Sequence, residues 1–236
     1  MKNIIKHLCG LNGLNKLNYI KTLVDAREGV TSVIEEYIVS TGRANDYIGH
    51  NLIIEIEGNE NINLITAHHD TVNKHSDNTL DNNASILNAI TIANKIKPKS
   101  TTIIAITDAE ETCSTNLNGV RQLLNKHKIN QHLDLELTAS GRNMVISKYN
   151  QFTLLNHIQE MKMPFNNAYA SSKMANNPIG SACVTIVDDD DLKQLTKYGT
   201  CNRWSQCHSH NDTIQWFDES DVKYFHDFLI EKINIF

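Results

Sequence analysis

Histidine and carboxylate residues recur along this sequence directly after apolar, β-branched segments. The first pair is His68 and Asp70, which follows the apolar segment 62–67. Residues two apart in an extended chain share a face, so these two side chains should project together. A carboxylate beside a histidine can accept its second ring N–H and so orient the other nitrogen towards a metal ion. Taken alone, the pair is equally compatible with two surface histidines at the start of a loop.

Three carboxylates in the middle of the chain carry a related signal. Asp81 stands just before a predicted helix, where it could cap the helix or present both oxygens to a pair of cations. Glu110 and Glu111 are neighbours at the end of a second buried segment, where they would repel each other without a partner. One of them could bind a metal while the other serves as a general base. An acidic helix start is the alternative interpretation of this pair.

Asp134 and Glu136 lie on the face of a predicted strand opposite its leucines. Either residue could be a further metal ligand, and the sequence does not choose between them. The alternative is an edge strand with one face in water.

His208 is the last candidate ligand, and it lies in a long loop that Asp212 and Thr213 are expected to brace. A rival interpretation is a zinc knuckle, although its spacing matches no standard structural-zinc pattern. That knuckle would consist of Cys201, Cys207, His208 and His210.

Together these residues supply two imidazoles and several carboxylates, each at the end of a predicted strand or in a loop that follows one. Mixed nitrogen and oxygen ligands suit zinc, with cobalt or manganese as alternatives. The sequence therefore predicts a site for two cations.

The elements that must position these residues alternate between helix and strand. The strands are predicted at 51–57, 62–67, 101–107, 133–137 and 183–187, and the helices at 14–24, 30–39, 84–96, 117–127 and 221–233. Such alternation is typical of an α/β fold with a mostly parallel central sheet, in which ligands bind at the carboxyl ends of the strands. Because no Pro-, Gly- or Ser-rich linker divides the chain, we expect a single domain over residues 1–236.

The composition excludes several other classes of protein. The 236 residues carry a net charge of -5 and contain no basic cluster, which argues against nucleic acid or an anionic membrane as the main partner. No apolar run reaches the roughly 18 residues that a membrane span needs. Five cysteines at irregular spacing disfavour a disulfide scaffold. With no apolar leader at the N-terminus, we expect a cytoplasmic protein.

The ordered series from His68 to Thr213 resembles the co-catalytic zinc exopeptidases, which include bacterial leucyl aminopeptidases and related deacetylase and carboxypeptidase families. The motifs that carry the resemblance are His68-x-Asp70, Asp81-Asn82, Glu110-Glu111, Asp134 and His208-Ser209-x-x-Asp212-Thr213. This resemblance implies a three-layer α/β/α sandwich.

The resemblance also implies a role for each residue at a centre with two zinc ions. His68 and Asp134 would bind one ion, and Asp81 would bridge to the other. Glu111 and His208 would bind that second ion.

Two further residues would act beside the ions. Asp70 would orient His68, and Glu110 would take a proton from the bridging water and pass it to the leaving amine. The chain is too short for the inserted dimerisation domain of the deacetylase and carboxypeptidase branch. An aminopeptidase acting on short peptides is therefore the leading prediction.

Three alternatives stay open: a hydrolase of N-acyl amino acids, a glutaminyl cyclase on the same scaffold, and a non-catalytic binding protein. The oligomeric state is also open. Tyr149, Arg142 and Arg203 could contact substrate, but the two arginines are better explained as surface ion-pair partners. The segment 168–174 stands where the aminopeptidase-like branch has a loop of the pocket wall, although its match is poor.

Overall fold

A mixed β-sheet is the centre of the computed structural model, which describes residues 1–39, 46–111, 119–149, 151–155, 158 and 179–233. Its seven strands within these ranges are β1 (Val30–Val39), β2 (Tyr47–Ile56), β3 (Asn59–His68), β4 (Ser100–Thr107), β5 (Ile129–Leu135), β6 (Asn143–Tyr149) and β7 (Gly180–Val187). They lie in the order β1-β2-β4-β3-β5-β7-β6. The four strands β4, β3, β5 and β7 are parallel, and the outer strands pair antiparallel. The predicted α/β fold class is confirmed.

Helices cover both faces of this sheet. The helices in the described ranges are α1 (Lys2–Cys9), α2 (Gly13–Val24), α3 (Ala84–Lys95), α4 (Gly119–Lys126), α5 (Asp189–Tyr198) and α6 (Glu219–Ile233). Side chains of α1, α2, α3 and α6 share one hydrophobic cluster with one face of the sheet. Side chains of α4 and α5 pack against the opposite face in two smaller clusters. Of these helices, none is long and apolar enough to cross a membrane.

Strand β4 shows why the sheet needs helices on both sides. Ile104 and Ile106 enter the larger cluster, whereas Ile103 and Ala105 enter the cluster beneath α4. Successive residues of a strand point to opposite faces, so an unbroken apolar run is buried on both.

The helix predicted over 30–39 is wrong, because this segment is the edge strand β1. It pairs antiparallel with β2 from Val30 opposite Ile56 to Val39 opposite Tyr47. β-branched residues are abundant in the segment, and they favour a half-buried pleated surface over a helix. The helices α1 and α5 and the strand β6 were not predicted.

The parallel strands bring their carboxyl ends to one edge of the sheet. His68 is the last residue of β3, which lies between β4 and β5. Glu110 and Glu111 follow β4, and Glu136 follows β5 directly. Three neighbouring strands therefore deliver one imidazole and three carboxylates to the same place.

Candidate metal centre

Asp81 lies between the two histidines that the sequence singles out. Its Oδ1 is 2.8 Å from Nε2 of His68, and its Oδ2 is 2.8 Å from Nε2 of His208. Each carboxylate oxygen thus faces a different imidazole, as a residue that bridges two cations would require.

A second carboxylate joins each histidine. Oε2 of Glu136 lies 3.5 Å from Nε2 of His68, and Oε1 of Glu111 lies 2.8 Å from Nε2 of His208. The ligand atoms of His68, Asp81 and Glu136 all lie within 4.8 Å of one another, and so do those of Asp81, Glu111 and His208. These two groups share Asp81, and each could hold a metal ion.

Glu110 lies beside the two groups, in a third cluster with His68 and Glu111. Burial raises the pKa of Glu110 to about 7, against the opposing effect of the His68 charge. The negative charges of Asp70 and Asp81 raise this pKa further. A carboxylate with such a pKa can both accept and release a proton near neutral pH.

The charges of the centre fit divalent cations. Burial, followed by the charge of Asp81, raises the pKa of Glu111 to about 8. Burial also raises the pKa of Glu136 well above its ordinary value. Among the described residues, the ion-pair partners of Asp81, Glu111 and Glu136 are all histidines. The negative charge of these buried carboxylates has little positive charge near it, and two zinc ions would neutralise it.

Hydrogen bonds with histidine lower the pKa of Asp81, in contrast to the raised pKa values of Glu111 and Glu136. Burial alone would raise its pKa, but hydrogen bonds from His208 and His68 lower it. The hydrogen bond with Asp81 likewise raises the pKa of His208 to about 9. The Asp81 carboxylate is therefore held in its ionised form, which is the form that binds metal.

Asp70 contacts two residues of the centre. Nδ1 of His68 lies 3.1 Å from the backbone oxygen of Asp70 and 3.4 Å from its Oδ1. The other carboxylate oxygen accepts a hydrogen bond of 2.9 Å from the backbone N–H of Glu111. These contacts leave Nε2 of His68 free to point at Asp81.

Asp134, which the family resemblance implies as a ligand, belongs to none of the three clusters. Thr66 donates a hydrogen bond to its Oδ1, and Nε2 of His132 lies 2.7 Å from the Thr66 hydroxyl. Within the described ranges it is Glu136, the alternative ligand, that reaches His68. The signal that distinguishes the two is position, because Glu136 directly follows the last residue of β5, whereas Asp134 lies inside the strand.

The loop that carries His208 is fastened to the turn that carries Asp81. The buried carboxylate of Asp212 accepts hydrogen bonds from the backbone N–H groups of Leu80, at 2.7 Å, and Asp81, at 3.1 Å. The backbone N–H of Ile214 donates to Asp77 at 2.7 Å. The expected bracing role of Asp212 agrees with these contacts.

Cysteines contribute to none of the three clusters in the described part of the chain. His208 faces Asp81 and Glu111 instead of forming a group with Cys201, Cys207 and His210. Segment 168–174 lies outside the described residues.

The two arginines that the sequence leaves as surface residues differ from each other. Arg142 is exposed and pairs with Asp221. The surface interpretation of Arg203 is wrong, because this side chain is only 2% exposed.

Comparisons with known proteins identify the family of this chain. The sequence matches peptidase family M28 over residues 51–230. A comparison with curated proteins returned no significant match.

Several solved structures share the fold at low sequence identity. The LapA aminopeptidase of Legionella pneumophila is 13% identical with a TM-score of 0.68, over 100% of this chain and 71% of that chain. The glutaminyl cyclase of Tannerella forsythia is 14% identical with a TM-score of 0.69, over 98% and 96%. A Zn-dependent exopeptidase of Parabacteroides distasonis is 14% identical with a TM-score of 0.69, over 99% and 96%.

The family match spans most of the chain, including every residue of the three carboxylate–histidine clusters. The chain therefore belongs to peptidase family M28, and the peptidase class predicted from its sequence is confirmed.

Proposed function

We propose that this protein is an aminopeptidase that hydrolyses short peptides at a centre of two zinc ions. The observation that carries the proposal is the position of Asp81, whose two oxygens each lie 2.8 Å from a different histidine. A single buried carboxylate with this arrangement is suited to hold two ions a short distance apart.

The proposed ligands differ at one position from those that the sequence resemblance implies. His68, Asp81 and Glu136 would hold one ion, and Asp81, Glu111 and His208 would hold the other. Glu136 thus takes the place of Asp134, which is engaged with Thr66. The nitrogen and oxygen ligands suit zinc, and cobalt or manganese could replace it.

The chemistry is divided between the ions and Glu110. When bound, a pair of such ions lowers the pKa of a shared water and polarises the scissile carbonyl. Glu110 would take the proton from the attacking water and donate it to the nitrogen of the leaving amine. Its position beside both groups, in a cluster with His68 and Glu111, supports this role.

Replacement of Glu110 tests the assignment of the base. Glu110→Gln should retain two metal ions per chain and lose about 10²–10⁴-fold in kcat, because an amide cannot accept the proton. The matched control is Glu57→Gln, which makes the same change at an exposed carboxylate and should leave kcat unaltered. Unchanged turnover of Glu110→Gln, with metal retained, would contradict the role.

The substrate class is tested on the wild-type protein with three kinds of compound. Aminoacyl anilides and short peptides report aminopeptidase activity, and N-acyl amino acids report deacylase activity. We expect hydrolysis of the aminoacyl anilides and the short peptides, and none of the N-acyl amino acids. Cleavage of the N-acyl compounds alone would overturn the aminopeptidase proposal and favour the deacylase.

Glutaminyl cyclisation is the second candidate function. The chain covers 96% of the glutaminyl cyclase of Tannerella forsythia, so the two proteins share a compact size as well as a fold. The distinguishing measurement is ammonia release from peptides with N-terminal glutamine, combined with the metal content. Cyclisation with one ion per chain would favour this alternative.

Cytoplasmic localisation stays a prediction.

A further inference from the structure

Arg203 is a buried cation that the proposed chemistry does not use. It is the bulkiest fully buried side chain in the described part of the chain. Arginine is rarely buried unless every charged donor is satisfied, because removing a guanidinium from water is costly. Its partners therefore indicate what the side chain holds in place.

The guanidinium of Arg203 joins the segment after β5, strand β7 and helix α5. Nη1 donates to the backbone oxygen of Ser140, after β5, and to that of Ile186, in β7, at 3.1 Å. Nη2 donates to Oδ2 of Asp188 at 3.1 Å, and Nε lies 3.0 Å from Oδ2 of Asp191. Asp188 caps the N-terminus of α5 and Asp191 lies in its first turn. Arg203 is thus tied to the rigid part of the fold.

A series of turns leads from Arg203 to His208 and beyond. The backbone oxygen of Arg203 accepts a hydrogen bond of 3.0 Å from Gln206 N–H, and that of Gln206 accepts one of 3.2 Å from Ser209 N–H. The oxygen of Ser209 accepts one of 3.3 Å from the N–H of Asp212, whose carboxylate holds the turn of Asp81. Segment 203–212, the histidine loop, is therefore anchored at both ends.

The position of the His208 ring depends on the conformation of this loop, whereas the His68 ring is held by the packing around a central strand. The side chain of His68 is 2% exposed and ends a central strand, whereas that of His208 is 50% exposed. The φ angle of His208 is 63°, in the left-handed region that non-glycine residues seldom adopt. With little packing around the ring, the path of the loop must hold this backbone conformation.

We propose that Arg203 is a positioning residue for His208 and thereby sets the affinity of the centre for one of its two cations. The inference rests on the proposed two-metal function. By fixing the start of the histidine loop, Arg203 keeps the imidazole within reach of Asp81 and Glu111. The other cation position, at His68, Asp81 and Glu136, does not depend on Arg203.

Metal titration of the chelator-treated protein tests this role without reference to activity. Zn²⁺ or Co²⁺ is added to the wild type, Arg203→Met and Arg203→Lys, and the number and affinity of bound ions are measured. We expect two ions in the wild type, and in Arg203→Met a second ion that binds about 10–100-fold more weakly. Lysine keeps the charge but lacks the planar fork, so Arg203→Lys should restore the affinity only in part. Arg142→Met, at an exposed arginine, should bind as the wild type does.

A double-mutant cycle separates positioning from a general loss of stability. If Arg203 acts through His208, Arg203→Met should not change metal affinity further once His208→Ala is present. Additive losses, or an unchanged second ion in both Arg203 variants, would overturn the inference. Fewer than two ions in the wild type would instead overturn the proposed function. Should Arg203→Met not fold, Asp191→Asn removes the charge of one of the arginine's partners and must weaken the same ion selectively.

Discussion

Asp134 and Glu136 share one face of the sheet and have different surroundings. Asp134 accepts a hydrogen bond from Thr66 inside the strand, whereas Glu136 reaches Nε2 of His68. At the scale of single residues, a shift of two residues along the chain separates a carboxylate that accepts a hydrogen bond inside the sheet from one that faces His68.

The two carboxylates should therefore respond differently to the same substitution. Glu136→Gln should reduce tightly bound metal from two ions to one and lower kcat on the order of 10²-fold, because a charged ligand is lost. Asp134→Asn should keep both ions and lower the free energy of unfolding by about 1–3 kcal/mol. Elemental analysis and urea unfolding of both proteins provide the comparison. A loss of metal in Asp134→Asn alone would reverse the two assignments.

Much of the candidate centre was predictable from the sequence. His68, Asp81, Glu111 and His208 converge because each follows a strand or lies in a turn at the same sheet edge. The choice of Glu136 was not predictable, because alternation places it on the same face as Asp134. Only the point at which β5 ends decides between them.

The turn that carries Asp81 shows how elements combine at the centre. Two of its backbone N–H groups donate to Asp212, which belongs to the histidine loop. The loop and the turn therefore support each other.

Replacement of Asp212 should weaken both elements together. In Asp212→Asn, one backbone N–H faces an amide NH₂ and loses its acceptor, which should lower the free energy of unfolding by about 1–3 kcal/mol. The second metal ion should also bind more weakly. Asp218→Asn is the matched control, since Asp218 accepts from the backbone of Ser220 and Asp221 at the start of α6. Both effects are measured by urea unfolding and metal titration, and equal metal affinity in the two variants would contradict the coupling.

Element prediction succeeded where the apolar pattern admitted one interpretation. The segments of β3, β4 and α3 have clear periods and appear as predicted. Val30–Val39 combines apolar residues at both strand and helix intervals, and its ten-residue pairing with β2 decides the outcome. That pairing is a long-range contact which the local sequence does not contain.

At the scale of the whole molecule, the centre should link metal binding to stability. Without ions, the carboxylates of Glu110, Glu111 and Glu136 are buried close together, and burial raises the pKa of each. Zn²⁺ at 100 times its dissociation constant should add about 2.7 kcal/mol per site to the free energy of unfolding.

Chelation should accordingly lower Tm, and added Zn²⁺ should restore it. Thermal unfolding with and without chelator measures the effect, and Glu136→Gln should show a smaller shift because one ion is already lost. An identical Tm under both conditions would speak against a resident metal.

His226 should make stability depend on pH independently of the centre. Its ring is buried in α6, and burial, reinforced by Lys95 and Lys223, lowers its pKa to about 4. The unfolded chain, with a pKa of about 6.5, binds a proton in the window between these values while the folded chain does not. Stability should therefore fall as pH decreases from about 6.5 to 4, by on the order of 1–3 kcal/mol.

Urea unfolding of the metal-free protein across this window isolates the contribution. His226→Phe should flatten the dependence relative to the wild type, and His75→Phe, at an exposed histidine, should not. Parallel curves for the wild type and His226→Phe would contradict the assignment.

The sheet order has a consequence for how such a protein can change. His68, Glu111 and Glu136 rise from three adjacent strands, and hydrogen-bonded strands lie about 4.8 Å apart. The spacing of the strands would thus help to set the distance between the two proposed metal ions. The loops around the centre can vary in sequence without changing this spacing, and such variation can alter which substrates bind. A shift of β5 by one residue, in contrast, would turn the Glu136 side chain to the other face of the sheet and remove one proposed ligand from the centre.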